Sequence, residues 1–210
     1  MAVDAVTRGH RWRVRHPWRT RRALLPVILV AAGALQASEG FTEGEILSNG
    51  CGGCHGHTGV SAASSMPSIA GFDRRYTARL LREFKDGSRY STIMGRVMAG
   101  YTLPQINLLA SYYADQTWEG SAFRADPAKV EPGRRIHEAL CEQCHEDSGR
   151  YQDRDMPRVA GQQPEYLRIQ MQLRRAGTEG MQQPNRMRDA LLSLSDAEVL
   201  AMTHYLASRD

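Results

Sequence analysis

Cys51-Gly52-Gly53-Cys54-His55 and Cys141-Glu142-Gln143-Cys144-His145 decide how the rest of this 210-residue chain is read. Two thiols three positions apart can add to the two vinyl groups on one side of a porphyrin, and the next residue then lies against the iron. C-x-x-C-H therefore reads as a c-type haem attachment site. Cys51, Cys54, Cys141 and Cys144 are the expected thioether anchors, and His55 and His145 the expected proximal iron ligands. Pairs of C-x-x-C units can also hold zinc or act as redox dithiols. Zinc ribbons separate their pairs by about 15–20 residues, whereas 86 residues, 55–140, lie between these two pairs. A histidine directly after each pair is needed by covalent haem and not by zinc. The expectation is two covalently bound haem c groups, each with its iron.

Toward the N-terminus, Arg8, Arg11, Arg13, Arg15, Arg19, Arg21 and Arg22 precede an apolar run over 23–35 and then Gln36-Ala37-Ser38. This is a basic n-region, an apolar h-region and a small-residue cleavage site. Thirteen residues at ~1.5 Å each fall short of a hydrocarbon core of ~30 Å. The segment 1–37 is therefore expected to be a signal peptide cleaved near Ala37, with periplasmic export and no permanent membrane span. Thr20-Arg21-Arg22-Ala23-Leu24-Leu25 resembles a twin-arginine signal, a route for folded proteins; haem attachment normally follows export of the unfolded chain, so that route is set aside. Cleavage removes seven arginines and one aspartate, leaving 20 basic against 22 acidic side chains. A nearly neutral mature chain lacks the basic face that a nucleic-acid partner demands. All four cysteines lie in the two motifs, which leaves no thiol for a disulfide.

Shifting the sequence by 90 residues aligns more than the motifs. Met66-Pro67-Ser68-Ile69-Ala70-Gly71 falls on Met156-Pro157-Arg158-Val159-Ala160-Gly161, Tyr76 on Tyr166 and Gly87 on Gly177. A gap of three then brings Met94 onto Met187, Thr102 onto Ser195 and Tyr112 onto Tyr205, the mark of a duplication. Each half reads as almost entirely helical, with no sustained strand-like alternation. A short helix is expected before each motif, over 43–48 in the first half and starting at Pro132 and continuing over 134–140 in the second. Polar loops follow over 56–65 and 146–155. Helical periodicity resumes over 74–85, with Tyr76, Leu80, Leu81 and Phe84 on one face, and over 165–175. Thr102-Leu103-Pro104-Gln105 and Ser195-Asp196-Ala197-Glu198 fit the S/T-x-x-E/Q capping box. The last helices then run through Ile106, Leu109, Ala110 and Tyr113, and through Val199, Met202 and Leu206. Gly120, Ser121, Asp126 and Pro127 give the stretch between the halves a linker character. The expected organisation is a first domain over 38–122, a linker over 123–130 and a second domain over 131–210.

The position opposite each histidine separates an electron-transfer site from a substrate site, because a thioether there raises the potential and closes the iron. Nine methionines compete for two places, and most methionines fill cores or loops. Met94 and Met187 each lie eight residues before a capping box, and they are the expected distal ligands. Met98, one helical turn after Met94, and Met181 are their competitors. Met66 and Met156 open Met-Pro-x-x-Ala-Gly turns and read as structural. His57, His137 and His204 read as surface or packing residues.

These residues resemble the two-domain class I dihaem cytochromes c and, more closely, the cytochrome subunit of flavocytochrome c sulfide dehydrogenase. The local match is best over Ser91-Thr92-Ile93-Met94-Gly95-Arg96-Val97-Met98-Ala99-Gly100-Tyr101 and continues through Ala110-Ser111-Tyr112-Tyr113-Ala114-Asp115-Gln116-Thr117. The resemblance implies an all-α fold of two tandem class I cytochrome c domains and a distal role for Met94. It also implies a flavoprotein partner whose FAD takes electrons from sulfide, and an external one-electron acceptor such as a small cytochrome. A free-standing periplasmic carrier delivering electrons towards a terminal oxidase has the same haem chemistry without the docked flavoprotein. A catalytic dihaem enzyme acting on thiosulfate or peroxide needs an open iron position, and a methionine in each half argues against one. Tyr101, Tyr112 and Tyr113 are candidates for an apolar docking patch, and equally for core packing of the last helix.

Overall fold

The computed structural model describes residues 41–210, among which there are nine helices and no strand. The expected signal peptide, its expected cleavage site and the twin-arginine-like stretch lie outside the described residues. The first half contains α1 (Glu43–His55), α2 (Arg74–Asp86), α3 (Met94–Ala99) and α4 (Leu103–Ala114). The second contains α5 (Pro127–Leu140), α6 (Glu146–Gly149), α7 (Pro164–Arg175), α8 (Asn185–Ser193) and α9 (Asp196–Ala207).

Both expected capping boxes form, at Thr102 with Gln105 and at Ser195 with Glu198. A third, unread in the sequence, starts α1: Thr42 Oγ1 accepts from the Glu45 N–H at 3.2 Å, and the Glu45 carboxylate accepts from the Thr42 N–H at 2.7 Å. Two expected boundaries are corrected. The helix expected over 43–48 runs through the first motif to His55: Gly50, Gly52 and Gly53 do not end it, and Gly56, with a φ of 80°, does. The helix expected to start at Pro132 starts at Pro127, and Pro132 lies inside it. Asp126 supplies the cap, accepting from the Ala128 N–H at 3.0 Å, and Pro127 holds the first helical position, where its fixed φ and missing N–H cost nothing. That helix stops at Leu140, so the second motif lies in turns rather than in a helix.

The halves repeat in packing as well as in sequence. α1 packs on α4, α4 on α2 and α2 on α3; α5 packs on α9, α9 on α7 and α7 on α8. The Gly59 carbonyl accepts from the Ile69 and Ala70 N–H groups, and the Gly149 carbonyl from Val159 and Ala160. The Gly71 N–H donates to Tyr113 and the Gly161 N–H to Leu206, both at under 3 Å, which fixes the three-residue gap in three dimensions. Where α5 crosses α9, a Cβ on Gly133 would stand 2.2 Å from the Ala201 carbonyl oxygen; at the matching α1–α4 crossing, Gly44 has 3.3 Å to Tyr112 Cβ. The N-terminal helix of each half thus crosses its last helix through a glycine.

Met98, Ile106, Leu109 and Tyr113 are fully buried in the first half. Leu167, Met171, Leu191, Val199, Met202, Tyr205 and Leu206 form the core of the second, with Met187 packed against it. On α2, the fully buried residues are the small Thr77 and Ala78, while the expected face of Tyr76, Leu80, Leu81 and Phe84 is half-buried.

The halves are joined by several side chains that the repeat does not share, and by a backbone bond. Gln162 is 2 % exposed and reaches from the second half to Ser68, accepting from its N–H at 2.8 Å and donating to its carbonyl at 2.9 Å. The neighbouring Gln163 donates to the Ser61 carbonyl. Gln152 Nε2 donates to Gly71 O at 2.8 Å, and Tyr166 N–H to Ser64 O at 2.9 Å. Trp118, from the connecting segment, lies between Phe72 of the first half, at 5.5 Å between ring centroids, and the Arg158 guanidinium of the second, 5.1 Å above its ring.

Candidate haem sites

α1 carries the first motif, and Gly56 with its left-handed backbone turns the chain away directly after His55. His55 is 8 % exposed, and its Nδ1 lies 2.8 Å from the Pro67 carbonyl oxygen. A carbonyl can only accept, so Nδ1 carries the proton and Nε2 keeps its lone pair. Burial pushes the imidazole pKa down, against the pull of that hydrogen bond. Cys51 is half-buried and Cys54 exposed, and burial raises the Cys51 thiol pKa.

In the second motif, Cys141 is half-buried and Cys144 exposed. Burial, with the Cys144 and Glu142 charges, pushes the Cys141 thiol up to about 11. His145 differs from His55. Pro157 is the repeat counterpart of Pro67, yet His145 Nδ1 is buried with no hydrogen-bond partner. Burial, then the neighbouring His137 and Arg174, push its pKa down to about 4. The imidazole is neutral at physiological pH, as a metal ligand must be.

The donor set tests the fit of a haem at each motif. Each offers two cysteines, all four of them free, and a neutral imidazole, buried at His55 and half-buried at His145, with a lone pair available. That set fits thioether attachment and axial ligation. Met94 is the first residue of α3, Met187 the third of α8, and both are half-buried. Their competitors Met98 and Met181 are 1 % and 7 % exposed. His57 is exposed, and its carbonyl accepts from Tyr112 OH at 3.2 Å. His204 Nδ1 accepts the Asp126 N–H at 3.0 Å. Tyr113 is core, its hydroxyl donating to Ser48 O at 3.3 Å; Tyr101 and Tyr112 are half-buried.

Of the two readings open for His137, surface or packing, the structure shows packing. It is 0 % exposed, packs tilted against Tyr205 with ring centroids 5.4 Å apart, and its Nδ1 lies 2.8 Å from Glu142 Oε2 without forming a hydrogen bond. The signal was available in its distance from Gly133: four positions along α5 place it on the face that crosses α9.

A repeated helical half with one C-x-x-C-H motif in each copy defines the class: a dihaem c-type cytochrome with the fold of two tandem class I cytochrome c domains. No family model matches the chain. Among known proteins, it is 49% identical over 74 residues to the "Cytochrome subunit of sulfide dehydrogenase" of Chlorobaculum tepidum, a match covering 35% of this chain and 66% of that one, just under two-thirds of its length. It is 25% identical over 174 residues to the "Thiosulfate dehydrogenase electron acceptor" of Thiomonas intermedia, covering 76% of this chain and 78% of the relative. Among solved structures, reduced recombinant cytochrome c4 from Pseudomonas stutzeri superposes with a TM-score of 0.71 at 26% identity, over 80% of this chain and 97% of that one.

Proposed function

We propose that this chain is the electron-transfer subunit of a sulfide-oxidising flavocytochrome, taking electrons from an FAD-bearing subunit and passing them singly to an external acceptor. The observation that carries this reading is the 49% identity to a cytochrome subunit of sulfide dehydrogenase. In this reading Cys51 and Cys54 anchor the first haem and Cys141 and Cys144 the second. His55 and Met94 ligate the first iron, and His145 and Met187 the second. Met98 and Met181 are buried whereas Met94 and Met187 are half-buried, which supports the second pair as the ligands. The haems supply reversible one-electron iron chemistry; the chain contributes neutral imidazoles, an apolar surround and a fixed relation between two sites. Two sites suit a flavin donor, which gives up two electrons to carriers that take one each. The domains 38–122 and 131–210, joined by 123–130, are the units of that relay, and the leader directs it to the periplasm. No helix among the described residues is long and apolar enough to cross a membrane.

A free-standing carrier is the second reading, favoured by the near-complete coverage of cytochrome c4 and by the likeness to a thiosulfate dehydrogenase electron acceptor. Gentle purification from the native host separates the two. Flavin in about one-to-one ratio with the chain, and reduction of the haems by sulfide, are expected. Two haems with no flavin and no partner polypeptide would move the assignment to the carrier.

A further inference from the structure

One peptide group of the first half is held at both its ends, and one of the holders comes from the second half. The Pro67 carbonyl accepts the Nδ1–H of His55 at 2.8 Å. The N–H of the same peptide group, on Ser68, donates to Gln162 Oε1 at 2.8 Å. His55 and Gln162 are thus joined through a single amide.

The surroundings fix which way the Gln162 amide points. Its Oε1 accepts from two backbone N–H groups, those of Ser68 and, at 2.9 Å, Gln163, while its Nε2 donates to the Ser68 carbonyl at 2.9 Å. Turned over, the amide would set N–H against N–H and oxygen against oxygen. Ser68 is held further, its hydroxyl accepting from the Ser61 N–H at 3.1 Å and the next N–H, of Ile69, donating to the Gly59 carbonyl at 2.7 Å. Ser68 and Gln162 are both buried, so water does not compete for these bonds.

An amide whose N–H is donated carries more charge on its oxygen and is a stronger acceptor. Gln162 therefore strengthens the bond between Pro67 and His55, and a better-held Nδ1–H leaves Nε2 more basic toward iron. The connection runs one way between the halves. The residue 90 positions before Gln162 is Phe72, which has no amide to offer, and His145 Nδ1 is buried without a partner.

We infer that Gln162 of the second half is a positioning residue for the first haem's histidine, acting through the Pro67–Ser68 peptide group. Docking of the second half thereby tunes the first site. A more basic imidazole favours oxidised iron, so Gln162 holds the first potential down. This rests on the reading of His55 as an iron ligand and is the same for a flavocytochrome subunit and a free carrier.

The test uses the full holoprotein, with a potentiometric titration followed by NMR, the haems being assigned through their contacts to Cys51 and Cys54 or to Cys141 and Cys144. Gln162→Leu should raise only the first potential. With strengthening of about 10–30% per bond, the expected change is about twofold in the one-electron equilibrium constant, or ~18 mV at ~59 mV per tenfold. In the reduced protein the His55 Nδ1–H resonance should move upfield as its bond weakens. Gln152→Leu, which removes the bonds of Gln152 to Gly71 and Asp73 across the same interface, should change neither reading. Equal movement of both potentials, no movement of the first, or the same shifts in Gln152→Leu would overturn the inference. The unsubstituted protein tests it as well: the Ser68 amide should exchange slowly with solvent, and exchange as fast as that of an exposed loop amide would also overturn it. Absence of haem from Cys51 and Cys54 would remove the dihaem reading and this inference together; haem in place with an unshifted first potential removes only the role of Gln162.

Discussion

His55 and His145 occupy equivalent places in the repeat and yet stand in different surroundings, one held by Pro67 and the other beside His137 and Arg174. Thioether chemistry gives C-x-x-C-H a reading in the sequence, and the duplication proposes Met94 and Met187 as distal candidates from nine methionines. The surroundings were not legible, since they depend on which side chains other elements bring. At Met187 the expectation is specific: Met187→His should keep the iron closed but lower the second midpoint potential, while Met181→Leu should leave it unchanged. The reverse result in a redox titration would transfer the ligand to Met181. His137 gives a pH prediction. Burial lowers its pKa from 6.5, so the unfolded chain binds a proton that the folded chain rejects. Its contribution is present above pH 6.5 and is lost as pH falls through the lower folded value. Denaturant unfolding of His137→Gln at pH 7 and at pH 4.5 should therefore show a smaller loss of stability over that window than the unsubstituted protein.

The helices obey local rules where caps and periodicity speak, and escape them where a proline has two possible roles. The boxes at Thr102 and Ser195 form as their sequences require, and either substitution to alanine should cost ~1 kcal/mol in thermal or denaturant unfolding. Pro132 misleads because proline fits a helix start, and Asp126-Pro127, five residues earlier, offers a better one. The short helices α3 and α8 carry the candidate distal methionines and are not legible as elements, since six and nine residues are too few for a periodic signal. The most sensitive element contact is the α5–α9 crossing. With 2.2 Å between a Cβ added at Gly133 and a backbone oxygen, neither partner can give way by rotating a side chain. Gly133→Ala should destabilise the protein by about 3 kcal/mol or more, seen as a lower midpoint in denaturant unfolding.

At the scale of the whole molecule, two copies of one helical unit are held as a pair by groups that only one copy supplies. Gln162 is the clearest of them, and the repeat hid it because its counterpart 90 positions earlier is Phe72. Gln162→Leu strands both the N–H and the carbonyl of Ser68, which is 0 % exposed; the cost should be about 1–3 kcal/mol for each unsatisfied group that water does not reach, seen as a lower unfolding midpoint. In the proposed function a fixed pair of sites makes the chain a relay rather than two independent carriers, and that function depends on both sites holding haem. The direct measurement is the intact mass of the denatured protein, with Cys51→Ala/Cys54→Ala and Cys141→Ala/Cys144→Ala variants beside it. Two haems retained through denaturation, and one in each variant, is the predicted result. A chain that carries a single haem, or none with zinc bound to its four thiols, would contradict the account.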